Sequence, residues 1–477
     1  MNMLIGGQLV PAVDGDTYPT HSPATGELLA KVPAATGADV QRAVEGAQRA
    51  QPGWARLAPQ ERATVLRTMA SVLRANREEL GRLDAQDGGN PVTAMTGDVD
   101  MAAELLEVFA DWASHLGGET MPGARGMLHY TVREPYGVVA RLVPYNHPIM
   151  FAASRVGAPL LAGNAVILKA PDQTPLSALR MGELFAPLLP PGVLSVLTGR
   201  GAVAGAALVA HPAIRRVAFT GSVPTGQTIL RDAAQSGIKH VSLELGGKNP
   251  MVVLPDADVE AAAAGAVAGM NFHWTGGQSC GSTSRLLVHR SLAGDIIDRV
   301  VAGAKAVRLG DPMDPATEMG TMVTPEHRDR VYGYIERGRG DGLKLAAGGG
   351  APTPGAFVEP TVFVDVPPDS PLSREEIFGP VLVVTPFDRE EEAVALVNDS
   401  PYGLTASLWS RDIARAHRLA REVQAGYVWV NTSSRHFVGL PFGGVKDSGL
   451  GREESVEELH SYTQSKAVTV HLGADPQ

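Results

Sequence analysis

The chain has 477 residues, 44% of them hydrophobic and 19% charged, with a formal net charge of −10 at pH 7 and one cysteine. At roughly 100–200 residues per domain it holds two to four packed domains, and so much apolar material excludes a disordered tail. One cysteine excludes a disulfide framework, and the acidic balance argues against nucleic acid or an anionic membrane as a partner. The first lysine or arginine is Lys31, so the reading expects no charged region of a signal peptide at the start. Arg155 interrupts the least polar region, Leu142–Leu168, and no run reaches the ~20 apolar residues of a membrane span. The expectation is a cytoplasmic protein, because a single unpaired cysteine fits a reducing compartment.

Apolar residues at helical spacing predict surface helices over 38–52 and 61–80. Short apolar runs then alternate with helical segments. Val138–Val143, Ala165–Leu168, Val193–Val196, Arg216–Thr220 and His240–Leu243 read as strands. Ile149–Leu160, Leu176–Phe185, Val203–Val209 and Thr225–Ala234 read as the helices between them. Such alternation predicts an α/β protein with a parallel, helix-covered sheet, whose ligands sit at the carboxyl ends of the strands. A second half begins near residue 248, with helices Val259–Met270 and Leu292–Val307 and strands Arg285–His289, Val381–Pro386 and Tyr427–Asn431. Gly348–Pro360 reads as an exposed loop, Met127–Arg133 as part of a hairpin and Ala467–His471 as an added strand.

Cys280 sits in Gly276-Gly277-Gln278-Ser279-Cys280-Gly281-Ser282-Thr283, a frame nearly free of bulky side chains. For a lone cysteine an incidental thiol is the usual reading, but this frame lets a substrate approach closely and favours a nucleophile. Glu244 ends an apolar strand and precedes Gly246-Gly247-Lys248; a general base and an acid paired with Lys248 fit its position equally. Asn146, in Pro144-Tyr145-Asn146-His147-Pro148, is a turn residue or an amide donor to an oxyanion. Gly221-Ser222 is a helix cap or a pyrophosphate site. Lys169 with Asp172 is a solvated pair or a ribose site. No GxGxxG or GxxxxGK[ST] motif occurs.

Seven segments in this order and spacing resemble the aldehyde dehydrogenase superfamily. They are Pro144–Pro148, Gly163–Pro171, Phe219–Ser222, Leu243–Pro250, Gly277–Cys280, Glu375–Pro380 and Pro441–Gly444. The resemblance implies a Rossmann-like cofactor domain over 1–116 and 137–247 and an α/β catalytic domain over 248–446. It also implies a small β oligomerisation element from 117–136 and 447–477, and a homodimer or homotetramer. By the same resemblance Cys280 attacks an aldehyde, Asn146 and the Cys280 N–H hold the oxyanion, and Glu244 activates the water that hydrolyses the thioester. Lys169 and Asp172 fall at the adenine ribose of NAD, Gly221 and Ser222 at the pyrophosphate, and Glu376 and Phe378 at the nicotinamide ribose and ring. Asp172 favours NAD over NADP, although its short side chain leaves room for NADP.

Two positions depart from the family pattern. Where many relatives carry lysine in a proton path, this chain has Arg155, with Glu453 as the matching acid. Where tryptophan is common it has Ser154, which widens the substrate channel. The rest of that channel is implied to be His147, Phe151, Ser279, Gly281, His436 and Phe442. The substrate expected is a bulky aromatic aldehyde or a semialdehyde. The resemblance brings no metal. A CoA-acylating relative and a cysteine hydrolase built on Cys280 and His273 are the alternatives; a non-enzymatic role would leave the Cys280→Ala protein unchanged.

Overall fold

The computed structural model describes residues 1–473. Its larger sheet has eight strands in the order Gly449–Leu450, His240–Glu244, Ile214–Thr220, Val138–Leu142, Ala165–Lys169, Leu194–Leu197, Met3–Ile5, Gln8–Val10. The five central strands are parallel, and the outer three run antiparallel to their neighbours. Successive side chains on a strand point to opposite faces. Val139, Val166 and Leu168 therefore enter one apolar core, while Val138, Ala140 and Ile167 enter another across the sheet. Burial on both faces is why these strands read as continuous apolar runs.

From Val138–Leu142 the chain adds two strands on one side, then crosses to add Ile214–Thr220 on the other. The order reverses there, which opens a crevice at the carboxyl ends of the two strands. Asn146 and Gly221-Ser222 follow those two ends. The second sheet has seven strands, in the order Lys344–Ala347, Thr361–Val364, Val381–Phe387, Arg285–His289, Pro250–Val253, Thr405–Trp409, Tyr427–Val430. Only Lys344–Ala347 is antiparallel. Residues 245–249 carry the chain from the end of one sheet into the start of the other. A three-stranded antiparallel sheet pairs Met127–Pro135 with Thr120–Met121 and with Thr463–His471. Residues 449–450 hydrogen-bond to His240–Glu244 instead, so the described stretch 449–471 serves both sheets. No helix is long and apolar enough to cross a membrane among the described residues.

Four elements differ from the sequence reading. The span 61–80 is two helices, Pro59–Ala75 and Arg77–Gly88, that meet at Asn76, whose side chain donates to the Val72 carbonyl at 2.8 Å. Ile149–Leu160 is two helices, Pro148–Ser154 and Gly157–Leu161. Pro159 has no N–H to donate and its ring crowds the carbonyl of Arg155, which forces the break at Arg155. Val203–Val209 begins as a wide π-type turn over Gly201–Gly205 and becomes α-helical only at Ala206–Ala210. The loop Gly348–Pro360 is irregular but not simply exposed. Ala356 and Val358 are fully buried, and the Ala356 N–H donates to the Pro23 carbonyl at 2.8 Å.

Candidate active site

Cys280 lies on the turn before the strand Arg285–His289, half-buried against Leu404, Tyr427, Trp429 and Phe442. Its glycines have a structural reason. Gly276 and Gly277 have φ of 58° and 76°, and a Cβ on Gly277 would overlap the Gly379 carbonyl. The loop is stapled by two amides. Asn249 Nδ2 donates to the carbonyls of Cys280 at 2.6 Å and Ser282 at 2.9 Å, while its Oδ1 accepts from Thr405 N–H at 3.1 Å. Gln278 Nε2 donates to the Thr275 and Thr321 carbonyls, and its Oε1 accepts from Val323 N–H. Sequence reading quoted both residues inside motifs but gave neither a task.

Glu244 is 4% exposed, its Oε1 is buried without a hydrogen-bond partner among the described residues, and its carboxyl is close enough to the Cys280 thiol for each to perturb the other. It does not pair with Lys248, whose Nζ is buried without a hydrogen-bond partner among the described residues. Burial first, then the nearby Glu453 charge, pushes the Glu244 carboxyl up to about 8. Burial and the Glu244 charge also push the Cys280 thiol well above its usual range. The thiol therefore keeps its proton until a base removes it, and the unpartnered Glu244 carboxyl is the base nearby. His273, the histidine of the hydrolase alternative, is exposed and lines a different groove with Glu260 and Glu318.

The turn carrying Asn146 is fixed from outside. Asn90 Nδ2 donates to the Asn146 carbonyl at 3.1 Å, and Asp84 Oδ2 accepts from Ile149 N–H at 2.9 Å. The Asn146 side chain is buried and makes no hydrogen bond among the described residues. His147 is also buried; its Nδ1 meets Asp98 Oδ2 at 2.8 Å, and its ring lies 4.6 Å from Trp274 and 5.8 Å from Phe151. Ser154 is fully buried and donates to the Met150 carbonyl at 2.6 Å. His436 stacks on Phe442 with centroids 4.1 Å apart, while Ser279 is half-buried.

Beneath these residues lies a buried ionic cluster. Arg155 Nη2 reaches Glu453 at 3.1 Å and Glu454 at 3.0 Å, and its Nη1 is 3.7 Å from Glu458. Arg141 also pairs with Glu453, and the Arg155 guanidinium lies 5.2 Å over the Phe151 ring. Burial opposes the charge on Arg155, but Glu453, Glu458 and Glu454 outweigh it and raise its pKa. Burial opposes ionisation of Glu453 too, and the two arginines overcome it. The pairing of Arg155 with Glu453 was expected; Arg141, Glu454 and Glu458 were not. Removing one partner of a buried pair strands the other charge. Arg155→Met is therefore expected to destabilise the protein by about 3–5 kcal/mol, read as a lower midpoint in urea, with Arg155→Lys losing less.

Several groups fit a dinucleotide. Lys169 is ion-paired to Asp172, and Asp172 Oδ2 accepts from Gly201 N–H at 3.0 Å. Both polar groups stand at a strand's carboxyl end, as ribose hydroxyls require. Ser222 is exposed at the start of the helix Val223–Ser236, and Gly221 N–H donates to the Glu244 carbonyl at 3.0 Å. Glu376 is turned against Gly246-Gly247, where Gly247 N–H donates to Oε1 at 3.1 Å and a Cβ on Gly246 would overlap the carboxylate. Burial raises the Glu376 carboxyl, and burial with the Arg285 charge pushes Lys248 down to about 7. Phe378 adopts φ 58° and packs edge-on to Tyr145 at 5.9 Å; its carbonyl accepts from His327 Nε2 at 2.7 Å.

The family model described as "Aldehyde dehydrogenase family" matches residues 10–468. The chain is 46% identical over 466 residues to "Aldehyde dehydrogenase tropH" of Talaromyces stipitatus, covering 95% of this chain and 90% of that protein. It is similar to the crystal structure of PnpE, from Pseudomonas sp. WBC-3, in complex with nicotinamide adenine dinucleotide. That similarity has a TM-score of 0.96 and 41% identity, over 100% of this chain and 98% of that one. A third similarity is to P. syringae AldA, an indole-3-acetaldehyde dehydrogenase solved with NAD+ and IAA. There the TM-score is 0.97 and the identity 39%, over 98% of this chain and 96% of that one.

Proposed function

From the premise that the chain belongs to the aldehyde dehydrogenase family, we propose that it oxidises an aldehyde to a carboxylic acid with NAD+ through a thioester on Cys280. The observation that carries this reading is the placement of Cys280 and Glu244 together at the junction of the two sheets, where Asn249, five residues after Glu244, holds the Cys280 carbonyl at 2.6 Å and the buried, unpartnered Glu244 carboxyl perturbs the thiol. Glu244 takes the thiol proton and sulfur attacks the aldehyde carbon, giving a thiohemiacetal. The oxyanion is held by the Asn146 amide and the Cys280 N–H, a donor of this kind typically being worth ~3 kcal/mol. Bound NAD+ supplies one piece of chemistry, the acceptance of a hydride. Glu244 releases the first proton to solvent, then takes a proton from the water that attacks the thioester, and the acid leaves as the Cys280 sulfur is expelled. Covalent attachment divides one hard step into two easier ones.

Lys169 and Asp172 hold the adenine ribose, Gly221 and Ser222 the pyrophosphate, and Glu376 and Phe378 the nicotinamide end. The Asp172 carboxylate repels a 2′-phosphate, so NAD+ is preferred. Asp172→Ser is expected to raise the ratio of kcat/KM with NADP+ to that with NAD+ at least about tenfold, the equivalent of ~1.4 kcal/mol. Steady-state kinetics with both dinucleotides checks it.

We assign the cofactor domain to 1–116 and 137–247, the catalytic domain to 248–446, and an oligomerisation element to 117–136 with 447–477. The short edge strand Thr120–Met121 leaves Met121 43% exposed, an edge suited to a second copy. We place the protein in the cytoplasm as a homodimer or homotetramer. His147, Phe151, Ser154, Ser279, His436 and Phe442 line the channel, and the substrate is a bulky aromatic aldehyde or a semialdehyde. NADH absorbance growth against aliphatic, aromatic and semialdehyde substrates tests the activity. Retention of Glu244 favours water over CoA as acyl acceptor; acyl-CoA formed on adding CoA would reverse that choice.

A further inference from the structure

The oxyanion hole proposed above takes one donor from each half of the molecule. The Asn146 amide follows a strand of the first sheet, and the Cys280 N–H precedes a strand of the second. Such a hole works only if both donors converge on one oxygen. The Asn146 side chain makes no hydrogen bond of its own among the described residues, so its place is set by the backbone that carries it.

Two buried bridges join the halves at this point. The first runs through Asp98, fully buried on the helix Val92–Asp111. Its Oδ2 lies 2.8 Å from Nδ1 of His147, the residue after Asn146, and its Oδ1 accepts from Trp274 Nε1 at 2.8 Å. The bond to His147 stands with the hydrogen on either atom, so the bridge needs no particular charge on the ring. Trp274 stands six positions before Cys280, on the short helix Phe272–Thr275. The His147 and Trp274 rings also pack edge-on, with centroids 4.6 Å apart. The second bridge runs through Asn90. Its Nδ2 donates to the Asn146 carbonyl at 3.1 Å, and the neighbouring Gly89 carbonyl accepts from Thr321 N–H at 2.8 Å. The Thr321 carbonyl accepts in turn from Nε2 of Gln278 at 3.2 Å, two positions before Cys280. The two backbones meet too closely for side chains. A Cβ on Gly89 would overlap Thr321 Oγ1, and one on Gly320 would overlap the Gly89 carbonyl. Asn90, Thr321 and Gln278 are all buried.

We propose that Asp98 and Asn90 are positioning residues that keep the Asn146 amide and the Cys280 N–H converged on one oxyanion, Asp98 by holding His147 and Trp274 at once and Asn90 by holding the Asn146 carbonyl. The proposal rests on the aldehyde-oxidising reading above and adds what holds its oxyanion hole together. Both residues act through Asn146, and neither has a step in bond making.

The test uses propanal and benzaldehyde with NAD+ and the full chain. Asp98→Leu removes both bonds of the first bridge. A misplacement near 1 Å in such a site costs about 10²-fold, so kcat is expected to fall about 10–100-fold for both aldehydes. The NAD+ dissociation constant, read by quenching of protein fluorescence, should stay unchanged. Asp98→Asn is expected to recover most of the rate, since its amide can accept from Trp274 and donate to His147 Nδ1. Asn146→Ala removes the donor being positioned, at a typical cost of about 10²–10³-fold. In that background Asp98→Leu should lower kcat little further, whereas a merely structural role would slow both backgrounds by the same factor. Asn90→Leu reads the second bridge in the same way and decides the matter if Asp98→Leu does not fold. A wild-type kcat in Asp98→Leu, an equal loss in both backgrounds, or no recovery in Asp98→Asn overturns the proposal while the activity stands. If the wild-type protein oxidises neither aldehyde, the activity reading falls and the proposal with it.

Discussion

Cys280→Ala is expected to abolish NADH formation, with a loss on the order of 10⁴-fold or more for removal of a covalent nucleophile. The substitution should leave the fold in place. The thiol is only half-buried, and the loop is held by backbone contacts to Asn249 and Gln278 rather than by sulfur. NAD+ binding, read by quenching of protein fluorescence, should therefore survive. The comparison separates loss of chemistry from loss of structure. NADH growth at the wild-type rate would remove the thioester from the mechanism.

Glu244→Gln is expected to retain a first turnover, slower than in the wild-type protein, and then stall. Deacylation loses its base, which typically costs about 10²–10⁴-fold, so a burst of NADH near one equivalent per active site should precede a slow steady state. The glutamine cannot take the thiol proton either, so the burst itself should be slower than in the wild-type protein. The pH dependence has a definite sign. Glu244 works as a carboxylate, and burial keeps it protonated until about 8. Wild-type turnover should climb through neutral pH and level above about 8, and the Glu244→Gln profile should lack that climb. Stability runs the other way. The unfolded chain releases this proton near 4.5 and the folded chain only near 8, so this group's contribution falls as pH rises through that window. A flat wild-type profile across the window would contradict the assignment of Glu244 as base.

Much of the larger sheet was legible because it is buried on both faces. Runs such as Ala165–Leu168 carry no alternation to misread, and their ends moved by only one or two residues. The N-terminal strands Met3–Ile5, Gln8–Val10, Thr17–His21 and Leu28–Pro33 were not legible. They are short, and Thr17–His21 pairs only with Leu28–Pro33, so no long apolar run marks them. At the site, single residues set within motifs could be named from sequence. Cys280 and Glu244 lie in one neighbourhood, and Arg155 forms an ion pair with Glu453. Arg141, Glu454 and Glu458 could not be found that way. Glu454 lies 299 positions beyond Arg155 in the chain, and Glu453 lies 312 beyond Arg141. An isolated glutamate beside a motif gives no sign that folding will bury it against an arginine.

The segment 449–471 threads back to strands laid down more than 200 positions earlier. Gly449–Leu450 closes the edge of the first sheet, Glu453, Glu454 and Glu458 neutralise Arg141 and Arg155, and Thr463–His471 completes the small sheet. During synthesis on the ribosome, the core around Val138–Leu142 and Ala165–Lys169 can collapse long before these residues emerge. Until they do, two guanidiniums wait inside it without counter-ions. The nascent chain must keep this region open to water, and the reacting pair cannot be sealed until translation has nearly finished. Ribosome-bound intermediates halted before residue 449 should accordingly be inactive and protease-sensitive around Arg155, although most of both sheets has been made.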